Sequence, residues 1–222
     1  MLRAVIFDLD GVIVDSHPAH LQAWKTLLHS LEKNVSENDL QFVMEGYKRE
    51  VILRHFLGEL SADDVNYYGA KKDALFRDSL QDIKTVPGFT TFFDSVQRAG
   101  LPVALASSAS RWRAEHTLTC LGLARAFRAI ITGDDVAEGK PDPAIFQAAA
   151  RGLGADPAEI LVCEDAVAGV EAAKSAGMKC LAIAANGRRP LLKEAGADLV
   201  VGDFTEASLP KLRNIFENGS PR

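Results

Sequence analysis

The sequence has no apolar run approaching the length of a membrane span and no basic cluster interleaved with aromatic residues. A membrane-spanning helix and a nucleic-acid surface are therefore not expected. Cysteine is scarce: Cys120, Cys163 and Cys180 stand far apart in apolar surroundings and lack metal-ligand spacing. That pattern fits buried thiols in a reducing cytoplasm rather than a disulfide framework. No internal repeat or low-complexity tract occurs, and Met1-Leu2-Arg3 runs straight into an apolar segment with no room for a secretory leader. The formal charge of -5 likewise gives no sign of a nucleic-acid surface. What is present, 222 residues of which 47% are apolar and 25% charged, suits one large globular domain or one domain carrying an insertion. The tail from Asn218 to Arg222 is expected to fray.

The most informative stretch runs from Ala4 to Val14, AVIFDLDGVIV. Ala4 to Phe7 is a short apolar run suited to a strand covered on both faces, and Gly11 permits a sharp exit. Asp8 and Asp10 then fall at the strand's carboxyl end. Residues two apart on a strand share a face, so both carboxylates are expected to aim at one point. Like charges that close predict a raised pKa on one of them or a bound cation.

Beyond Ser16 the texture changes. Leu21, Trp24, Leu28 and Leu31 give one apolar face to a helix starting near Pro18, and further helical stretches are expected over 37–44, 48–58 and 62–80. Ser61, followed by Asp63 and Asp64, suits an N-cap for the last of these. No strand is expected between Ser16 and Lys84, so this region reads as a helical insertion. The turn Val86-Pro87-Gly88 marks the return to an α/β rhythm. Strands are expected over 101–106, 127–132, 159–163, 179–184 and 198–201, with helices over 89–99, to about 121, over 143–153, 166–176 and 206–217. Asp142 is placed to cap the helix that Pro143 opens. Alternating strands and helices imply an α/β fold with a doubly wound parallel sheet.

In such sheets the binding crevice lies beyond the carboxyl ends of the strands. Ser107, Ser108, Ala109 and Ser110 follow the second strand, Gly139-Lys140-Pro141-Asp142-Pro143 the third, and Glu164-Asp165 the fourth. Asp-Leu-Asp-Gly-Val after the first strand, Ser107, Lys140 and Glu164-Asp165 resemble, in order and chemical type, the four motifs of the haloacid dehalogenase superfamily. Lys-Pro-Asp-Pro and Glu-Asp-Ala-Val-Ala-Gly resemble the β-phosphoglucomutase-like branch, and the likeness spans nearly the whole chain.

The resemblance implies a Rossmann-like core, residues 1–15 and 85–222, with a helical cap over 16–84. It also implies a phosphatase working through an aspartyl phosphate. Asp8 would be the nucleophile and Asp10 the acid and base. Ser107, Lys140 and backbone amides near Leu9 and Ser108 would hold the phosphoryl oxygens. Mg2+ would be bound by the Asp8 carboxylate, the Asp10 carbonyl and Asp165, with Glu164 a direct or outer partner. In the cap, His20, Trp24, Arg49 and Lys72 align with positions that contact substrate, although the match around Gly46-Tyr47-Lys48-Arg49-Glu50 is partial. Arg111 reads as a surface charge, and His17, His29, His55 and His116 fit no catalytic pattern. The expected substrate is a small phosphorylated metabolite, a sugar or polyol phosphate, and the expected state a cytoplasmic monomer or weak dimer. The rival is an isomerase, a β-phosphoglucomutase, with the same core residues. A non-catalytic binding protein on the same fold is the second alternative.

Overall fold

The computed structural model describes residues 1–77, 84–184 and 187–217. Six parallel strands form one sheet: β1 (Ala4–Phe7), β2 (Val103–Ser107), β3 (Ala129–Thr132), β4 (Ile160–Glu164), β5 (Lys179–Ile183) and β6 (Leu199–Val201), in spatial order β3-β2-β1-β4-β5-β6. The chain builds outward from β1 to β3, then returns to the other side of β1 with β4. The crevice where that order reverses lies between the carboxyl ends of β1 and β4. Register pairs Phe7 with Cys163, so Asp8 and Glu164 leave adjacent strands at the same level.

Alternation along β1 divides the core. Val5 and Phe7 face a cluster with Phe89, Phe92, Phe93 and Val96 of α4 (Phe89–Arg98), Leu118 of α5 (Arg111–Cys120) and Leu212 of α9 (Leu209–Glu217). Ala4 and Ile6 face the opposite cluster, built from α6 (Ala144–Leu153), α7 (Val167–Ser175) and α8 (Arg189–Glu194). All four β1 residues are buried, as helices on both faces require.

The segment between β1 and α4 is helical among its described residues. It comprises α1 (His17–Ser30), a 3-10 turn over Asp39–Met44, α2 (Arg49–Leu57) and α3 (Ala62–Arg77). Trp24, Leu28, Leu40, Leu53 and Val65 close a separate apolar cluster there. Its entry and exit run side by side: Asp15 N–H donates to the Lys84 carbonyl (2.9 Å), and Val86 N–H to that of Ile13 (3.0 Å). Ser61 caps α3 as expected, its hydroxyl accepting from Asp64 N–H while also donating to the Asp64 carboxylate. Asp142 likewise accepts from Ala144 N–H at the start of α6.

Several expectations shift. The stretch 37–44 forms only the short 3-10 turn, and positions 78–80 of the third insertion helix lie outside the described residues, as does the tail from Asn218. Strand β2 runs to Ser107, so that serine is itself the buried strand end. Helix α8 was not anticipated, since six residues are too few to show a helical period. Cys163 and Cys180 are buried, but Cys120 is exposed on the last turn of α5. Among the described residues no helix is long and apolar enough to cross a membrane.

Candidate active site

Asp8, Ser107, Lys140, Glu164 and Asp165 are brought together at the β1/β4 crevice, and all five are buried. Lys140 stands at the centre. Its ammonium donates to Asp8 Oδ1 at 2.7 Å and to Glu164 Oε1. The other Glu164 oxygen accepts from the N–H groups of Asp165 (2.6 Å) and Ala166 (2.8 Å), so this carboxylate is tied down on both sides. Burial, helped by the repulsion of Glu164, Asp10 and Asp165, pushes Asp8 up to about 8 despite Lys140. Burial also opposes charge on Lys140, but its two carboxylates more than offset that and hold it firmly cationic.

Close packing fixes this arrangement. Gly11 has φ +70, and a Cβ there would overlap both Asp165 Oδ2 and His17 Nε2. Gly169, inside α7, passes so near the Glu164 carboxylate that a Cβ would sit on top of it. Replacing a helical glycine by alanine ordinarily stabilises by about 1 kcal/mol. Here the sign reverses: Gly169→Ala should destabilise by about 1–3 kcal/mol through overpacking. A thermal melt of that variant at or above wild type would mean that Glu164 is free to move.

Asp10 lines the same crevice as Asp8, but the two carboxylates take different partners. The Asp10 side chain turns to Arg113, which grips it with both terminal nitrogens, Nη1 to Oδ1 at 2.9 Å and Nη2 to Oδ2 at 2.7 Å. The Ser16 hydroxyl (2.6 Å) and His20 Nε2 (3.0 Å) also meet Oδ1. Although burial works to raise the Asp10 pKa, Arg113 and His20 hold it well below the usual carboxylate range. The anticipated splitting of the two carboxylates thus exists, but burial and Arg113 produce more of it than their mutual repulsion.

Lys72 reaches the same place from α3. It is buried rather than solvated, with Nζ 2.9 Å from His20 Nδ1 and over the Phe76 ring. Burial and the nearby Arg113 lower it to about 7, while burial and Lys72 lower His20 to about 3. Arg49 lines the crevice at its mouth, between Asp73 (3.6 Å) and Asp134 (3.5 Å). Trp24 borders the crevice, but most of its surface packs within the insertion. Ser107 Oγ accepts from Ala109 N–H, and the Ser108 hydroxyl donates to the Gly46 carbonyl, joining the second strand end to the insertion. Leu9 is fully buried beneath the site.

Two site residues escaped the sequence reading. His17 was set aside, yet its Nε2 lies 2.8 Å from Asp165 Oδ2. Arg113 was passed over for Arg111, which does prove to be a surface charge, paired with Glu115 and Asp135. The available signal was spacing: Arg113 is the third residue of α5, on the turn that faces the sheet end.

These groups could hold a divalent cation. Asp8 and Asp165 offer buried oxygens, and burial raises both as carboxyls by more than their partners Lys140 and His17 offset. Oxygen donors suit a hard ion such as Mg2+. No ready-made group of three His, Cys, Asp or Glu side chains occurs among the described residues. Glu164 is engaged by Lys140, and Asp10 by Arg113.

The chain is 33% identical to β-phosphoglucomutase of Bacillus subtilis (strain 168) over 97% of its length and 96% of the relative's. It is 32% identical to hexitol phosphatase A of Escherichia coli (strain K12), covering 96% of each chain. The crystal structure of β-phosphoglucomutase from Clostridium difficile superposes with a TM-score of 0.88 at 26% identity, over 98% of both chains. The family model for a haloacid dehalogenase-like hydrolase matches residues 2–177. With the parallel sheet and the four strand-end groups in place, the chain belongs to the haloacid dehalogenase-like hydrolases.

Proposed function

We propose that this chain is a Mg2+-dependent phosphatase that hydrolyses a small sugar or polyol phosphate through an aspartyl phosphate on Asp8. The observation that carries the reading is the buried Asp8–Lys140–Glu164 group, with Asp10 lining the same crevice. A nucleophile and a separate acid/base are what two-step hydrolysis of a phosphate ester requires. The relatives named a hexitol phosphatase and a phosphoglucomutase support a sugar-like substrate.

The residues divide the work. An Asp8 oxygen attacks phosphorus in line, forming the Asp8–phosphorus bond as the ester bond breaks. Arg113 and His20 hold Asp10 ionised in the free site, so it must take up a proton from solvent before it gives one to the departing alkoxide; it then takes one back from the water that cleaves the aspartyl phosphate. Lys140, Ser107 and the amides of Leu9 and Ser108 oppose charge on the phosphoryl oxygens. Asp8, the Asp10 carbonyl and Asp165 would hold Mg2+, with Glu164 as a partner beside it. When bound, the ion offsets the repulsion between an anionic nucleophile and an anionic phosphate. Residues 16–84 act as a cap that excludes water and supplies His20, Trp24, Arg49 and Lys72 to the sugar.

The cation reading has a stability consequence. Asp8 has a folded pKa of about 8 against an ordinary value of 3.8, so the native state binds more protons between those limits. The metal-free protein should therefore lose stability as pH rises from about 4 to about 8. Added Mg2+ should raise Tm more at pH 8 than at pH 5. Equal shifts at both would count against Asp8 as a ligand.

The second reading is an isomerase, favoured by the 33% identity to a β-phosphoglucomutase. One assay separates the two. Purified protein with Mg2+ is offered a panel of sugar, polyol and nucleotide monophosphates, following released phosphate, and β-glucose 1-phosphate with a bisphosphate primer, following glucose 6-phosphate. Chelator-sensitive phosphate release from a few members supports the phosphatase. Glucose 6-phosphate with little free phosphate overturns it in favour of the mutase, and silence on every ester leaves a binding protein.

A further inference from the structure

Arg113 is the one arginine among the described residues that is buried, with 6% of its surface exposed. Burying a guanidinium is costly unless its partners are geometrically well placed. Its bidentate grip on Asp10 meets that condition, and the guanidinium plane also lies 5.3 Å from the Phe76 ring centroid of α3. Arg113 is thus held between the first strand end and the helical insertion.

The donors are distributed unequally over Asp10. Oδ1 faces the Ser16 hydroxyl, His20 Nε2 and Arg113 Nη1. His20 is fixed beside Oδ1 between two nitrogen groups, Lys72 Nζ 2.9 Å from its Nδ1 and Arg113 Nη1 3.2 Å from its Nε2, while the Ser16 hydroxyl and Arg113 Nη1 both donate to Oδ1. A carboxylate oxygen has two lone pairs, so Oδ1 is saturated. Among the described residues Oδ2 meets Arg113 Nη2 alone and keeps a lone pair open.

We propose that Arg113 is a positioning residue for the proton-transfer step: it fixes the plane of the Asp10 carboxylate and leaves Oδ2 as the atom that exchanges a proton with the leaving oxygen and with water. This rests on the reading of Asp10 as acid and base. Arg113 acts through Asp10 and, among the described residues, makes no hydrogen bond or ion pair with the nucleophilic carboxylate, so attack by Asp8 depends on it far less. The consequence is a selective defect. In the first step, esters whose leaving group needs a proton suffer when Arg113 is changed and esters with a good leaving group do not, a difference read in kcat/KM; the shared hydrolysis of the aspartyl phosphate slows for all of them.

The test compares wild type, Arg113→Lys, Arg113→Gln and Asp10→Asn as Mg2+-loaded enzymes on phosphate monoesters of graded leaving-group pKa. The series runs from p-nitrophenyl phosphate to glycerol and sugar phosphates, and Tm is recorded for each protein. Asp10→Asn and Arg113→Gln should both steepen the dependence of kcat/KM on leaving-group pKa. For Arg113→Gln kcat/KM should fall roughly ten- to a hundredfold on the alkyl esters and by less than about threefold on p-nitrophenyl phosphate. Arg113→Lys, which keeps the charge but not the fork, should recover part of the loss. A uniform fall in kcat/KM on every ester in both Arg113 variants, with Asp10→Asn still selective, makes Arg113 a purely structural residue and overturns the proposal. If Asp10→Asn is itself unselective, the acid/base assignment fails and the proposal falls with it.

Discussion

Asp8→Asn should abolish phosphate release from every ester, by a factor on the order of 10^4 or more, and leave the fold intact. An amide oxygen is too weak a nucleophile to form the phosphoenzyme, while its shape still fills the site at the end of β1. The amide oxygen can still accept from the Lys140 ammonium, which now lies 2.7 Å from Asp8 Oδ1. The stability effect should have a sign of its own. Asp8 is a buried carboxyl pushed up to about 8, so its ionised form weighs against folding at high pH. The metal-free variant should therefore lose much of the decline in stability between pH 4 and pH 8 that wild type shows. Phosphate release by Asp8→Asn at wild-type rates would remove Asp8 from the mechanism altogether. A collapse of Tm would show that its charge holds the fold rather than serves the chemistry.

Lys140→Met should give the largest loss of stability at a single position. The thioether chain fills nearly the same volume, but Asp8 and Glu164 are left buried with no cation between them. Breaking a buried pair in this way costs about 3–5 kcal/mol, which for a chain of this size is roughly 6–20 °C in Tm. The deficit should grow with pH. At pH 5 the unpaired carboxyls can take up protons, whereas at pH 8 more of their charge must be carried or neutralised at a cost. Turnover should fall as well, since Lys140 is placed to oppose charge on the phosphoryl group. Calorimetry of the metal-free variant at the two pH values decides the matter. A deficit of the same size at both would mean that lost packing by the lysine stem, not unpaired charge, explains the effect.

Much of the architecture was legible because it rests on local patterns. The buried run Ala4–Phe7, the turn at Val86-Pro87-Gly88 and the apolar periodicity of Trp24 and Leu28 each carry their own signal. The order of Asp8, Ser107, Lys140 and Glu164-Asp165 was legible too, because a parallel sheet delivers successive strand ends to one edge. Helix α8 was missed because six residues do not complete two turns. The insertion cations resisted reading for a different reason. Lys72 looks like any helix lysine until α1 and α3 are packed, after which it is buried against His20 and Phe76.

The sequence alone determined the parallel α/β plan, the place of the helical insertion and the identities of the strand-end groups, since these follow from periodicity and chain order. Only the tertiary structure decided which of those groups pair. Asp8 and Asp10 are two residues apart, yet one closes on Lys140, 132 positions away, and the other on Arg113, 103 positions away. Burial then separates their ionisation, raising Asp8 to about 8 while Arg113 keeps Asp10 charged. Burial and long-range charge pairing are properties of the packed chain, and no spacing along the sequence encodes them.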